Sequence, residues 1–217
     1  MAADKAPSWQ GQRSAPTRLI LLRHGQTPLS VERRYSGRGN PELTDLGRQQ
    51  AAGAATRLGD DRDITAVVSS PLQRAVTTAE AVADRLGLDV QIDDGFIETD
   101  FGAWEGLTFT EAADRDPDVH RRWLGDVDLP APDGESFSQV AERVIAAKDQ
   151  LLQRYPGQTV LVVSHVTPIK TLLRDALLAG PELLFRLHLD LASVSIAEFY
   201  PDGGSVVRLV NDTGHLS

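Results

Sequence analysis

Short apolar runs alternate along the chain with segments of helical spacing, and this alternation predicts the fold. The strand candidates are residues 18–22, 64–68, 88–92, 159–163, 193–199 and 205–210. The first, second and fourth are apolar on both faces, which is typical of a parallel sheet covered by helices on both sides. The segment PDGGSV between the last two predicts a hairpin turn and therefore an antiparallel edge strand.

Apolar residues at helical spacing fill the intervals between these strands. The predicted helices are residues 44–58 (capped by Thr44 or Asp45), 71–86, 136–155 (opened by a Ser136–Gln139 capping box) and 167–179. The alternation predicts an α/β fold: a three-layer sandwich with a mostly parallel central sheet, an antiparallel edge strand and helices on both faces.

Two segments depart from this alternation. Residues 1–16 are rich in Ala, Pro, Ser, Gln and Gly, which predicts a flexible leader or linker. Residues 17–217 are predicted to form one domain. Within it, residues from about 100 to 135 fit the alternation poorly, and we interpret them as an inserted lid over one end of the sheet.

Composition excludes several classes of function. The 217 residues include no cysteine, which excludes disulfides, thiolate catalysis and zinc sites with cysteine ligands. The net charge of −9 argues against nucleic-acid and anionic-membrane partners, although it allows local basic pockets. No apolar run reaches transmembrane length. We therefore expect a cytoplasmic protein.

Two histidines and two arginines follow the predicted strands. His24 and His165 each end an apolar strand, and ligands bind at the carboxyl ends of the strands of open α/β sheets. Arg23 precedes His24, and Arg74 lies in the first turn of a helix, so the two guanidinium groups can form an anion site. The alternatives are two unrelated surface histidines and, for Arg74, a solvated helix arginine.

Glu98 and Glu105, in the segment FIETDFGAWEG, are the candidate acids, and spacing alone does not choose between them. A loop carboxylate in water is the alternative for Glu98. Together these groups suit phosphoryl transfer, in which an imidazole accepts the phosphoryl group and an acid protonates the leaving oxygen. No metal or other cofactor is needed. Two histidines could bind zinc or iron, but HxH and HExxH spacings are absent and Arg23 would repel a dication.

Ordered motifs carry a resemblance to a known family. LLRHGQT, RYSGRGNPELTDLGRQQA, VVSSPLQRAVTTAEAVA, FIETDFGAWEG, PDGESFSQVAERV and VLVVSHVTPIKTLL occur in the order found in the histidine phosphatase superfamily, which has the phosphoglycerate-mutase-like fold. The resemblance implies that His24 is phosphorylated, that Glu98 donates the proton and that His165 is the second pocket histidine. It also implies phosphate contacts from Arg23, Arg74, Arg34 and Ser30, the last standing where many relatives have asparagine.

Within the superfamily the chain is most similar to the α-ribazole phosphatases of cobalamin synthesis, on the segments YSG, FGAWEG, DGESF and LVN. It also resembles the phosphatase half of an actinobacterial fusion in which a ribonuclease H domain precedes the phosphatase. The implied substrate is a small phosphomonoester, either α-ribazole 5′-phosphate or the range of esters taken by a broad acid phosphatase.

Two other functions stay open. One is a cofactor-dependent phosphoglycerate mutase, although the RxYGxLxGL pattern of mutases is absent after Glu98. The other is an idle phospho-ligand-binding module. In the lid, His120, Arg121 and Arg122 could meet an anionic substrate, with a solvated helix end as the alternative, and Trp104 and Trp123 are interpreted as packing residues.

Overall fold

The computed structural model describes residues 14–216, and its centre is one sheet of six strands. The strands are β1 (Thr17–Arg23), β2 (Ile64–Ser69), β3 (Val90–Ile92), β4 (Thr159–Ser164), β5 (Val194–Phe199) and β6 (Ser205–Asp212). Their order across the sheet is β3-β2-β4-β1-β5-β6. Strands β1 to β4 pair in parallel, which confirms the mostly parallel sheet.

The predicted hairpin and antiparallel edge strand are confirmed. β5 pairs antiparallel with β1 on one side and with β6 on the other. A hairpin joins β5 to β6, closed by a hydrogen bond from the Tyr200 N–H to the Gly204 carbonyl at 2.8 Å. The edge strand β6 is therefore antiparallel to its neighbour β5 and runs in the direction of β1.

Eight helices lie among the described residues: α1 (Pro28–Val31), α2 (Asp45–Leu58), α3 (Gln73–Leu86), α4 (Phe109–Arg115), α5 (Pro117–Trp123), α6 (Phe137–Arg154), α7 (Val166–Leu177) and α8 (Leu183–Arg186). Side chains of a strand alternate between its two faces. Ile20 and Leu22 of β1 accordingly pack with α2 and α3, whereas Leu19 and Leu21 pack with α6 and α7. The three-layer sandwich is confirmed.

Three predicted helix ends can be compared directly with the structure. The capping box of Ser136 and Gln139 opens α6 as predicted. The fourth predicted helix, however, starts and stops earlier than the pattern indicates. His165 is the N-cap of α7, and Leu178, with a left-handed φ of 51°, ends it two residues before Gly180.

The segment from about residue 100 to 135 contains α4 and α5, and its apolar side chains form a cluster with Tyr35, Phe137 and Leu184. It is joined to the chain that follows α1, because the Tyr35 N–H donates to Leu107 and the Gly106 N–H donates to Tyr35. The predicted leader falls mostly on residues 1–13, which lie outside the described residues. Within residues 14–216, no helix combines the length and the apolarity that a bilayer crossing requires.

Candidate active site

The two strand-end histidines lie side by side. β1 and β4 pair in parallel with Arg23 opposite Ser164, so the next residue of each strand is a histidine. The His24 N–H continues the ladder to the Ser164 carbonyl at 3.0 Å. The two ring centroids are 5.0 Å apart, and His24 and His165 are 6% and 0% exposed. The alternative of two unrelated surface histidines is therefore wrong.

The ring of His24 is held in its neutral form. Its Nδ1 lies 2.7 Å from the Gly25 carbonyl oxygen, and because a carbonyl can only accept, Nδ1 carries the proton. Burial, followed by the positive charges of Arg74 and Arg23, lowers the pKa of His24 well below 6.5. The ring is therefore uncharged, and the lone pair of Nε2 is free to attack an electrophile.

The hydrogen bonds of the second histidine, His165, indicate which of its ring nitrogens carries the proton. Its Nε2 is 2.7 Å from Ser70 Oγ, and no other acceptor for that hydroxyl proton lies within hydrogen-bonding distance in the described part of the chain. The hydroxyl therefore donates to Nε2, and Nδ1 carries the ring proton. Burial, then the charge of Arg74, lowers the pKa of His165 well below 6.5. The Nδ1–H group is buried and has no acceptor among residues 14–216.

Arg23 is a half-buried cation, and one of its N–H groups is buried without an acceptor among the described residues. Its Nη1 donates to the Leu189 carbonyl at 2.6 Å, whereas its Nε is buried with no acceptor in the described chain. Burial lowers the pKa of Arg23 to about 10, and the nearby carboxylates of Glu98 and Asp190 oppose that shift. The guanidinium therefore stays charged at neutral pH.

Arg74 is wholly buried, which overturns the alternative of a solvated helix arginine. Its two terminal nitrogens donate to the carbonyls of Gly39 (2.8 Å), Ser36 (3.1 Å) and Gly37 (3.0 Å). Burial lowers the pKa of Arg74, opposed by the charge of Glu98. The Nε group again has no acceptor within the described residues.

Three of the buried N–H groups that have no acceptor among residues 14–216 belong to neighbours of His24. They are Arg23 Nε, Arg74 Nε and His165 Nδ1. Buried donors in proteins are almost always paired, so such a cluster indicates a ligand that supplies the acceptors. Two of the donors are cationic, which favours an anion. A tetrahedral oxyanion such as phosphate offers several acceptor oxygens and matches this arrangement beside His24.

The structure distinguishes the two candidate acids. Glu105 accepts from the N–H groups of Gly37 (2.8 Å) and Gly39 (3.0 Å), so it holds the loop whose carbonyls bind Arg74. Glu98 is buried, and its Oε1 accepts from the Thr99 N–H at 2.8 Å. No described residue donates to its Oε2, which is available to a ligand. Glu98, whose charge acts on Arg23 and Arg74, therefore stays the candidate acid, and its role is a prediction.

Ser30 and Arg34 have local partners instead. Ser30 Oγ accepts from the Thr27 N–H at 2.9 Å and donates to the Thr27 carbonyl at 2.7 Å, which closes the capping box of α1. Arg34 contacts Glu32 and Glu111 at the surface. In the described structure neither side chain contacts His24 or His165, and the phosphate-binding role of both stays a prediction.

His120 does not belong to a solvated helix end. It is 5% exposed, and its Nε2 lies 2.8 Å from the hydroxyl of Tyr35. Trp104 and Trp123 are buried around it, as expected of packing residues. Its neighbours Arg121 and Arg122 are exposed, as a solvated helix end requires. Residues 100–135 are therefore held together by an aromatic cluster with a histidine inside.

Sequence reasoning missed two contributors to the site. Ser70 directly follows β2, at the same edge of the sheet as His24, and the rule that drew attention to the histidines applies to it. Arg143 on α6 binds the main chain around Glu98, and nothing in the helical pattern distinguishes it from a surface arginine. In residues 14–216, no three potential ligands among His, Asp and Glu converge on a point where a metal ion could be held.

Comparison with known proteins agrees with this chemistry. The chain is 63% identical over 211 residues to the bifunctional protein Rv2228c of Mycobacterium tuberculosis. The match covers 97% of this chain but only 58% of that protein's length. A second relative, phosphoserine phosphatase 1 of Hydrogenobacter thermophilus, is 31% identical over 92% of this chain and 94% of its own.

A solved structure and a family model extend the comparison. The crystal structure of a putative alpha-ribazole-5′-P phosphatase from Escherichia coli is 28% identical and superposes with a TM-score of 0.82, covering 90% of this chain and 96% of its own. The family model described as the histidine phosphatase superfamily (branch 1) matches residues 19–212, nearly the whole described chain. The protein whose paired histidines and neighbouring arginines are described above belongs to that superfamily.

Proposed function

We propose that this chain is a metal-independent phosphomonoesterase that hydrolyses a small phosphorylated metabolite through a phosphohistidine at His24. The observation that carries the proposal is the free Nε2 of a neutral His24 beside three buried N–H donors without acceptors. A nucleophile and an oxyanion site in contact are what phosphoryl transfer requires of a protein.

The first half-reaction follows from these positions. Phosphate oxygens accept from Arg23 Nε, Arg74 Nε and His165 Nδ1, and the lone pair of His24 Nε2 attacks phosphorus. The N–P bond forms as the bond from phosphorus to the ester oxygen breaks. Glu98 gives its proton to the departing alkoxide. The Gly25 carbonyl, which accepts from Nδ1, stabilises the positive charge that the ring gains.

The second half-reaction reverses these roles. The Glu98 carboxylate takes a proton from water, whose oxygen attacks phosphorus as the N–P bond breaks. Inorganic phosphate leaves, His24 is neutral again and Glu98 is again protonated. Hydrolysis rather than mutase chemistry is the function proposed, because it needs only water as the second acceptor and because relatives of this chain include a phosphoserine phosphatase.

The substrate proposed first is α-ribazole 5′-phosphate, with a broad acid phosphatase range as the second choice. The resemblance in YSG, FGAWEG and DGESF and the structural similarity to a putative α-ribazole-5′-P phosphatase support it. Cobalamin synthesis in the cytoplasm and a preceding ribonuclease H domain in a longer protein are further parts of this proposal. The chain spans little more than half the length of the mycobacterial relative.

The test is release of inorganic phosphate from α-ribazole 5′-phosphate and from p-nitrophenyl phosphate with excess EDTA. His24→Ala is compared with His188→Ala, a matched change at an exposed histidine. Turnover of both esters that is lost only in His24→Ala supports the proposal. Cleavage of the aryl ester alone keeps the chemistry and rejects the substrate. Activity that survives His24→Ala rejects the mechanism.

A further inference from the structure

Arg143, on α6, is hydrogen-bonded to the main chain on which Glu98 lies. Its guanidinium donates to three carbonyls of that segment: Gly95 at 3.0 Å, Ile97 at 2.6 Å and Glu98 at 3.0 Å. Such a fork of donors in one plane fixes several acceptors at once. The contacts join residues 45 to 48 positions apart in sequence, so no local structure replaces them.

Glu135 binds both Arg143 and the main chain that follows Glu98. Its Oε1 pairs with Arg143 Nε at 3.0 Å, and its Oε2 accepts from Arg143 Nη2 at 3.1 Å. The same Oε2 accepts from the Asp100 N–H at 2.9 Å and from Arg38 at 3.1 Å. The pair thus binds the main chain immediately before and after Glu98.

The Glu98 carboxyl group has little else to hold it. Among the described residues, the side-chain hydrogen bonds of Glu98 come from the N–H and the hydroxyl of the next residue, Thr99, both to Oε1. Because few side-chain contacts hold this carboxyl group, its position is set by the position of its own main chain. The position of the acid therefore depends on the carbonyl and amide contacts that Arg143 and Glu135 make.

We propose that Arg143 and Glu135 are positioning residues, which hold Glu98 at the distance from the leaving-group oxygen that proton donation requires. The proposal rests on the function assigned to Glu98 above. A general acid must lie within hydrogen-bond reach of the oxygen it protonates, and a displacement of about 1 Å costs about 100-fold in rate. Neither Arg143 nor Glu135 contacts His24 in the described structure.

Leaving groups of different basicity reveal such a role. An alkoxide must be protonated as it departs, whereas p-nitrophenolate is a weak base and leaves without help. Loss of acid positioning therefore slows alkyl phosphates more than p-nitrophenyl phosphate. A general loss of folding or of phosphate binding slows both to the same degree.

The experiment compares kcat/KM for p-nitrophenyl phosphate and for β-glycerophosphate in Arg143→Met and in Glu135→Gln. We expect the alkyl ester to lose about 10- to 100-fold more than the aryl ester, a part of the 10²- to 10⁴-fold that general acid catalysis contributes. Lys148→Met is the matched control, because Lys148 is a cation of the same helix that pairs with Asp149 and Asp175. Its two rates should change by the same factor.

Glu98→Gln separates the two ways of failing. One outcome is that Glu98→Gln leaves kcat/KM for the aryl ester unchanged while Arg143→Met lowers kcat/KM equally for both esters. That result overturns the positioning role of Arg143 and leaves the assignment of Glu98 as the acid intact. If Glu98→Gln lowers kcat/KM equally for both esters, the acid assignment fails and the proposal fails with it; kcat is not compared, because Glu98 also serves as the base of the second half-reaction, which is common to both esters. In the double variant that carries both Arg143→Met and Glu98→Gln, the ratio of kcat/KM for the aryl ester to kcat/KM for the alkyl ester should equal the ratio in Glu98→Gln alone. A larger ratio in the double variant overturns the proposal. If Arg143→Met does not fold, Glu135→Gln decides by the same ratio.

Discussion

His24 and His165 stand with their ring centroids 5.0 Å apart because they follow paired residues of two adjacent parallel strands. The hydrogen-bonded ladder of β1 and β4, with Arg23 opposite Ser164, sets this spacing before any side-chain contact is made. The two histidines are therefore placed by the core of the sheet. Glu98 and the carbonyl partners of Arg74 lie instead on loops.

Ser70→Ala should remove the hydrogen bond that keeps the ring proton of His165 on Nδ1. We expect kcat to fall about 5-fold, since one hydrogen bond contributes about 1 kcal/mol. Nitrogen NMR of the imidazole should show a mixture of tautomers in the variant and one tautomer in the parent. Ser69→Ala, at a buried serine whose hydroxyl bonds the main chain, is the control. A single unchanged tautomer in Ser70→Ala would refute the assignment.

Arg74→Lys should weaken both phosphate binding and the loop at residues 36–39. A lysine cannot reach three carbonyls and still offer a donor to the ligand, so we expect kcat/KM to fall by about 10² to 10³. The free energy of unfolding should fall by about 2 kcal/mol because buried carbonyls lose partners. Urea unfolding and inhibition by vanadate measure the two effects. The control Arg121→Lys, at an exposed arginine, should change neither the stability nor the inhibition by vanadate. If Arg74→Lys bound vanadate as tightly as the parent protein, the role of Arg74 in phosphate binding would be contradicted.

Glu105→Gln should behave as a structural change. Its carboxylate accepts from two glycine N–H groups, and an amide retains only one acceptor oxygen. We expect the free energy of unfolding to fall by about 1–2 kcal/mol and kcat/KM to fall equally for aryl and alkyl phosphates. A selective loss on the alkyl ester would identify Glu105 rather than Glu98 as the acid.

Stability should fall as the solution is acidified. Burial keeps the pKa of His24 and of His165 well below 6.5 in the folded protein, whereas both histidines regain ordinary values on unfolding. Below about pH 6.5 the unfolded chain therefore binds protons that the folded chain does not, and each histidine lowers the free energy of unfolding by up to about 1.4 kcal/mol per pH unit. His165→Gln should flatten this slope in urea titrations between about pH 5 and 7. An unchanged slope would contradict a neutral His165.

The sequence alone predicts most of the sheet and the histidine pair, because apolar runs fix the strands and the strand ends fix their neighbours. It predicts neither the burial of His120 nor the role of Arg143. His120 is buried because it meets the hydroxyl of Tyr35, 85 positions away. Arg143 acts on carbonyls 45 to 48 positions away. Polar contacts between segments that are distant in sequence produce no periodic pattern of residues, so the helical spacing of apolar residues cannot predict them.

The most direct test of the central claim is to trap the phosphorylated enzyme. Protein mixed with radiolabelled p-nitrophenyl phosphate is quenched in alkali within milliseconds, and the labelled peptide is identified by mass spectrometry. The account predicts a label that is stable in alkali, labile in acid, located on His24 and absent from His24→Ala. Substrate consumption without a label on His24, or a label on any other residue, would contradict it.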